Sequence, residues 1–376
     1  MPDQVGMKDK RMQIKIPCVM MRGGTSKGAY FLNSDLPQDE ELREQILLSV
    51  MGSPDTRQID GVGGANPLTS KVAVVQISER EDVDLDYLFI QVLVDEPYTS
   101  TLQNCGNILA GVGPFAVENG LVKPSDPETT LTIYMENSGS LADVTFHTPG
   151  GIVKYEGDTQ IDGVPGLASP VLINFRDTEG STCGSLLPTG NLVDTIDGID
   201  VTCIDNGMPV VLMEAKSFCR TGYESRDDLN ADWKLREKIE AIRLEVGPMM
   251  NLGVVSEKTV PKMTMVAPPQ KAGTICTRSF IPHDCHAAIG VFAAVSVGTA
   301  SAISGTVANR VAVLPKGDTR LISVEHPTGE ISVKMEIDET ADQPKVTRAA
   351  LLRTTRRLFE GQVLIPAAIW NGSAKI

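Results

Sequence analysis

Two reactive side chains stand where the local sequence would sharpen them. Cys105 lies in Asn104-Cys105-Gly106-Asn107, directly ahead of the apolar stretch Gly106–Val117. If that stretch is a helix, the N–H groups of its first turn lack intrahelical partners and carry partial positive charge. A thiol there has a depressed pKa and a useful thiolate fraction near neutrality. Gly106 would let a ligand approach the backbone, where the same N–H groups hold a carboxylate. An inert buried cysteine under an asparagine cap stays open as the alternative. Lys71 closes the Gly-rich loop Gly63-Gly64-Ala65-Asn66-Pro67-Leu68-Thr69-Ser70 and leads the apolar strand Lys71–Ile77. Burial there disfavours the ammonium and makes the amine a usable base; a lysine snorkelling to the domain edge is the other reading.

Two further segments could bind anions. Met21-Arg22-Gly23-Gly24-Thr25-Ser26-Lys27-Gly28 superficially resembles a phosphate loop, but Lys27 precedes Gly28, which is the wrong order for GxxxxGK[ST]. A turn over Arg22, Gly23, Gly24, Thr25 and Ser26 that offers backbone donors to a carboxylate fits better; an ordinary hairpin turn fits equally well. Arg278-Ser279 and His283-Asp284-Cys285-His286 precede a second apolar stretch, Ala287–Val297. Adjacent residues rarely converge on one metal and no third ligand is implied, so no metal is expected. A second anion-binding helix mouth, facing the first across a domain cleft, is the preferred reading, against a helix cap with surface histidines. Asn206-Gly207-Met208-Pro209 reads as a turn between two short strands.

The elements that must position these groups are mostly strands. Short or alternating apolar runs occur at Lys71–Ile77, Val83–Val94, Leu131–Tyr134, Ala142–Phe146, Val171–Phe175, Val201–Ile204, Val210–Met213, Met263–Val266 and Leu321–Val324. His326-Pro327-Thr328-Gly329 predicts the turn of a hairpin over Ser323–Ile337. Amphipathic helices are expected at Glu40–Met51 and Asp232–Glu245. Gly106–Val117 and Ala287–Val297 are apolar on every side at helical length, so protein must surround them. Each has a cysteine just before it and strands on either side, which implies a duplicated α+β architecture. Its two similar domains would each wrap a β-barrel-like sheet around a buried central helix. A boundary in Gly157–Pro165 divides the chain into residues 14–160 and 161–376. Lys71 and Cys105 then belong to the first domain, Arg278 and His283–His286 to the second, with the active site in the cleft between them.

Composition narrows the classes. The 376-residue chain is 41% hydrophobic and 22% charged, with a net charge of −14 and no evident basic stripe. A nucleic-acid partner is therefore not expected. The longest apolar runs fall short of the roughly 18 residues a membrane span needs. The polar stretch Met1–Gln13 does not look like a signal peptide. Seven cysteines without paired spacing fit a reduced cytoplasmic protein. Homodimerisation is the base-rate expectation for its assembly.

Together these segments resemble a family of cofactor-free isomerases. The family includes 2-methylaconitate cis–trans isomerase, methylitaconate isomerase and 4-oxalomesaconate tautomerase, and shares a two-domain fold with diaminopimelate epimerase. The resemblance runs from Ile16 onward and is strongest at Met21–Leu32, Met51–Val75, Asn104–Ala116 and Pro282–Val291. These stretches are most similar to the 4-oxalomesaconate tautomerase branch of aromatic-acid breakdown. The resemblance implies that Lys71 and Cys105 form an acid–base pair, and that Asn66, Asn104, Gly106, Asn107 and Arg22–Ser26 cradle carboxylates. Ser70, Arg278, Ser279, His283, Cys285 and His286 complete the expected substrate-binding set. Cys285 occupies roughly the place of the epimerases' second cysteine, but its HDCHAA context differs from their Cys-Gly-Thr-Gly. The implied substrate is a small anionic polycarboxylate, 4-oxalomesaconate first, converted by tautomerisation or a 1,3-allylic shift without any cofactor. Isomerisation of 2-methylaconitate or methylitaconate is the alternative within the class, and a non-catalytic polycarboxylate-binding protein the alternative outside it.

Overall fold

Strands of this chain alternate two apolar faces, and the two faces take different helices. A computed structural model describes residues 12–102, 104–338 and 345–372. Most of the polar stretch Met1–Gln13 lies outside the described residues. The chain forms two units. The first comprises residues up to Gln160, Gly166–Val171 and everything from Arg353; the second comprises Ile161–Pro165 and Leu172–Leu352. The final segment thus belongs with the first unit, where the sequence alone assigned it to the second.

The first unit contains β1 (Gln13–Gly23), β2 (Ser26–Leu32), α1 (Glu40–Met51), β3 (Lys71–Ile77), β4 (Leu85–Val92) and the short β5 (Thr99–Ser100). It continues with α2 (Gly106–Leu109), α3 (Val112–Glu118), β6 (Glu128–Met135) and β7 (Ser140–His147). β1 pairs antiparallel with β2, β2 parallel with β3, β3 antiparallel with β4, β4 parallel with β6, and β6 antiparallel with β7. Val72, Val74, Ile90 and Val92 join Ile46 and Leu47 of α1 in one core. Because side chains alternate along a strand, Lys71, Tyr87, Phe89 and Gln91 face the opposite way, over α2 and α3. There the Tyr30 ring lies 5.7 Å from Phe115.

β8 (Pro170–Phe175) bridges in sequence to the second unit, which has β9 (Asp194–Ile196), β10 (Ile199–Asp205), β11 (Pro209–Glu214), α4 (Arg226–Ala231), α5 (Trp233–Met249) and β12 (Lys262–Ala267). β13 (Ile275–Phe280), α6 (Val291–Ala302), β14 (Thr319–His326), β15 (Gly329–Asp338) and β16 (Lys345–Pro366) follow. Its pairings repeat the first unit's alternation: β10–β11 antiparallel, β11–β12 parallel, β12–β13 antiparallel, β13–β14 parallel, β14–β15 antiparallel. α5 covers one sheet face and α6 the other. The α+β class and the paired, sheet-dominated architecture thus match the expectation. Within the first unit the latter part of β16 pairs with β1, from Gln13↔Pro366 to Gly23↔Thr355. No helix among the described residues is long and apolar enough to cross a membrane.

α1 and β3 have the bounds expected, and His326 pairs Gly329 across the hairpin turn. Asp39 caps α1 by accepting from the Leu42 N–H at 2.8 Å, and Asp232 caps α5 by accepting from Leu235. The two apolar helices differ from expectation. Gly106–Val117 divides into α2 and α3, joined through Ala110 and Gly111 in right-handed helical conformation: Pro114 has no N–H to give the Ala110 carbonyl, and Tyr30 donates its hydroxyl to the Ile108 carbonyl at 2.5 Å. The second helix begins four residues later than expected, at Val291, and every residue from Ala293 to Ala302 is buried. The residues before it are taken by a turn in which the His286 N–H donates to the Ser279 carbonyl at 2.9 Å.

A Cβ on Gly111 would stand 2.5 Å from the Tyr30 hydroxyl oxygen, although the backbone there, at φ −90°, suits alanine. Gly111→Ala is expected to destabilise the protein by about 1–3 kcal/mol through overpacking; in open space the same change would stabilise by about 0.4–1 kcal/mol. Urea midpoints give the sign, and adding Tyr30→Phe should recover part of the loss.

Candidate functional site

The β1–β2 turn is shaped by a neighbour rather than by its own preferences. Gly23 pairs Ser26, leaving Gly24 and Thr25 as the turn, with Gly24 at φ +49°. A Cβ on Gly23 would lie 2.2 Å from the Asn107 carbonyl oxygen, and one on Gly24 would lie 2.2 Å from Asn107 Oδ1. Glycine is therefore required twice by the close approach of Asn107. Asn107 Nδ2 donates to Thr25 Oγ1 at 3.0 Å, and Asn107 Oδ1 accepts from Arg353 Nε at 3.0 Å. Arg22, half-buried, donates to the carbonyls of Gly24 and Thr354 and to Thr354 Oγ1. Burial and the opposed Arg356 hold its pKa below the usual arginine value. The Ser26 hydroxyl is buried with no hydrogen-bond partner.

The loop before Lys71 is organised by Gln58, which no sequence motif singled out. Its side chain is 1% exposed, donates to Ser53 Oγ and Ser70 Oγ, and accepts from the Ala65 N–H. Ser70 in turn donates to the Val92 carbonyl at 2.8 Å and is fully buried. Its hydroxyl thus links the loop to β4. Asn66 is exposed, and its side chain accepts from the Leu68 N–H at 2.9 Å, closing the turn. Lys71 is 7% exposed; its Nζ donates to Gln91 Oε1 at 2.9 Å and sits 4.9 Å from the centre of the Phe89 ring.

Cys105 stands at the start of α2 on the same sheet face as Lys71. Tyr87, four positions before Gln91 on β4, donates its hydroxyl to the Cys105 carbonyl at 3.4 Å. Asn104 Nδ2 donates to Ser138 Oγ at 2.6 Å, leaving Asn104 Oδ1 buried without a partner. Arg353, buried at 8% exposure, lies close enough for its charge to be favoured by a Cys105 thiolate, though burial still pulls its pKa down to about 10. Burial pushes the hydroxyls of Tyr30 and Tyr87 well above the usual phenol range, reinforced by the Cys105 charge. α2 is four residues long and is followed, through Ala110 and Gly111 in right-handed helical conformation, by α3, so the N–H groups of its first turn still face the thiol's end. Arg353, Tyr30, Tyr87 and Gln91 were not found by sequence reasoning. Only the basic run Arg353-Thr354-Thr355-Arg356-Arg357 offered a signal, and it lies far along the chain.

The second-unit candidates are occupied structurally. Arg278 is 5% exposed and donates to the carbonyls of Glu224 and Thr277 and to Cys276 Sγ. Ser279 shares a hydrogen bond with Thr264 at 3.1 Å, buried inside the sheet. His283 is exposed and lies 3.3 Å from a Glu240 carboxylate oxygen, and His286 is also exposed. Cys285 is not at the mouth of α6: five residues separate it from Val291, and it packs into the core beneath α5. Its N–H donates to Asn230 Oδ1 at 2.6 Å, and burial pushes its thiol up to about 11. This group is a cap-and-core arrangement rather than the expected second anion site. Among the described residues no cluster of three or more His, Cys, Asp or Glu side chains suits a metal ion.

The profile of the PrpF protein family matches residues 13–366. The chain is 58% identical over 358 residues to a (4E)-oxalomesaconate Delta-isomerase from Novosphingobium sp., spanning 95% of this chain and 99% of that protein. It is 54% identical to a 4-oxalomesaconate tautomerase from Pseudomonas putida, spanning 96% of this chain and 99% of that one. A crystal structure of a methylitaconate-delta-isomerase superposes with a TM-score of 0.87 at 36% identity, covering 97% of this chain and 99% of that one.

The cysteines separate sharply by environment. Burial pushes Cys18, Cys183 and Cys203 to about 12, whereas Cys219 is exposed and Cys105 half-buried. At pH 8 a thiol with a pKa of 11–12 is thiolate to roughly a thousandth or less. Brief iodoacetamide treatment of the native protein should label Cys105 and Cys219 and spare these three and Cys285, as read by peptide mass spectrometry. Equal labelling of Cys285 and Cys105 would contradict the burial.

Proposed function

This chain belongs to the PrpF protein family, and from that premise we propose that it shifts a proton and a double bond in 4-oxalomesaconate, using Lys71 and Cys105 as its acid–base pair. Its relatives are isomerases, and so is this chain. The observation that carries the reading is the convergence, on one face of the first unit's sheet, of a buried amine, a half-buried thiol and a set of polar donors. Gln91 holds the amine and Tyr87 holds the backbone at the thiol. Arg22, Thr25, Asn107 and Arg353 gather beside the thiol's helix.

The chemistry asks for little else. A proton γ to a keto or carboxylate group across a double bond is acidic because the carbanion delocalises into a dienolate. One group removes that proton. Cationic and amide donors stabilise the oxyanion, and a second group returns a proton to oxygen or to another carbon. Removal and return balance, so no redox partner enters. Isomerisation of methylitaconate or 2-methylaconitate is the second reading. It is favoured by the superposition on methylitaconate-delta-isomerase, and would use the same proton-transfer groups. The reading extends to a cytoplasmic homodimer acting in aromatic-acid breakdown.

The test is NMR in D₂O with 4-oxalomesaconate, 2-methylaconitate, trans-aconitate and methylitaconate. Deuterium is expected at an allylic carbon of 4-oxalomesaconate first. Lys71→Met and Cys105→Ala should each lower kcat by about 10²–10⁴ while leaving binding of the unreacted acid nearly intact. Normal turnover by either variant would remove the acid–base assignment. Exchange confined to methylitaconate would favour the second reading.

A further inference from the structure

A thiol that exchanges protons near neutrality needs positive potential, and the N–H groups of the first turn of α2 are one source of it. The charged and titratable groups facing Cys105 come from three strands. Tyr30 of β2 and Tyr87 of β4 are fully buried phenols that stay neutral and add no positive charge. Arg353 of β16 brings a guanidinium from a residue that is only 8% exposed. Lys71 lies over the same sheet face, with its amine committed to Gln91.

Arg353 is also fixed in place. Its Nε donates to Asn107 Oδ1 at 3.0 Å, and Asn107 lies two residues after Cys105 in the only turn of α2. A Cβ on Gly24 would meet Arg353 Cδ at 3.0 Å and Asn107 Oδ1 at 2.2 Å, so the glycine leaves room for this contact. Asn107 is anchored at its other end to Thr25.

We propose that Arg353 is the positioning residue of the site: it locks Asn107 at the start of α2 and, through its buried charge, adds to the first-turn N–H groups in favouring the thiolate form of Cys105. The role rests on the proposed use of Cys105 in proton transfer, but its signature does not require turnover. A buried cation next to a thiolate lowers the thiol pKa by about one unit or more, and each unit is tenfold in thiolate below the midpoint.

The experiment is the pH dependence of iodoacetamide alkylation at Cys105 in a Cys219→Ser background, for wild type, Arg353→Gln and Arg353→Lys. Glutamine keeps a donor for Asn107 and loses the charge; lysine keeps the charge and loses the planar fork. At pH 7 Arg353→Gln should react about tenfold more slowly and rejoin wild type at alkaline pH, while Arg353→Lys should stay within about threefold. Isomerase kcat should follow the same order. If Arg353→Gln alkylates like wild type, or if Gln and Lys fall equally, the electrostatic role is overturned. A rise in KM with an unmoved alkylation profile overturns it equally, making Arg353 a substrate ligand. Should the alkylation shift occur while kcat holds, the inference stands and the assignment of Cys105 to proton transfer fails.

Discussion

The side-chain amide of Asn107 ties together three stretches of chain that lie far apart in sequence: the Gly23–Ser26 turn, the first turn of α2, and β16 at Arg353. Each hydrogen bond it makes is individually modest, about 0.5–1.5 kcal/mol net. Its larger effect is geometric. The turn must be glycine at two consecutive positions so that Asn107 can enter, and once it has entered, the hairpin, the thiol and the guanidinium have fixed relative positions. Removing that amide would free all three at once.

The duplicated sheet makes a useful internal contrast. Lys71 opens β3, the strand that pairs parallel with β2. Lys262 opens β12, the strand that pairs parallel with β11. The backbone framework is the same, and both lysines are nearly buried. Their surroundings are not. Lys71 lies on Phe89 and donates to Gln91, over the face that carries Cys105. Lys262 has the fully buried Arg243 nearby, and burial together with that charge depresses its amine. Cys285, the thiol in the corresponding place of the second unit, is packed under α5, the opposite face from α6. One framework therefore presents its lysine–cysteine pair on a common face in the first unit and separates it in the second.

Much of the scaffold was legible because strand periodicity and caps are local. β3, α1 and the His326–Gly329 turn are written in runs of neighbouring residues. What failed did so for tertiary reasons. The apolar run after Cys105 has helical length; Pro114 within it marks where the ladder weakens, but nothing in it announces the tyrosine from β2 that packs against Gly111. Nor does the motif around Lys71 reveal that Gln58 and Val92 bond the Ser70 hydroxyl. Arg353 escaped notice because β16, rich in Arg and Thr, does not read as a buried strand, and because it meets Asn107 only through a long-range return of the chain to the first unit. Lys71 and Cys105 could be singled out as candidates, since glycine-flanked reactive residues beside apolar runs are visible without knowledge of the fold.

The distribution of charge argues in the same direction as the site's geometry. The chain carries −14 overall, yet β1 and β16 place Arg22 directly opposite Arg356, with Arg353 three residues away along the same strand. Like charges facing each other across a sheet cost roughly 0.2–1 kcal/mol, less where one is exposed, and a fold under no other constraint would relieve this with one of its many carboxylates. Arg22 instead spends its donors on the Gly24 and Thr354 carbonyls, which orient it without neutralising it. Electrostatic focusing near low-dielectric surface keeps such a cluster attractive to anions even on an acidic protein. A buried hydroxyl without a partner is costly by itself, and Ser26 carries one on the same hairpin as Arg22.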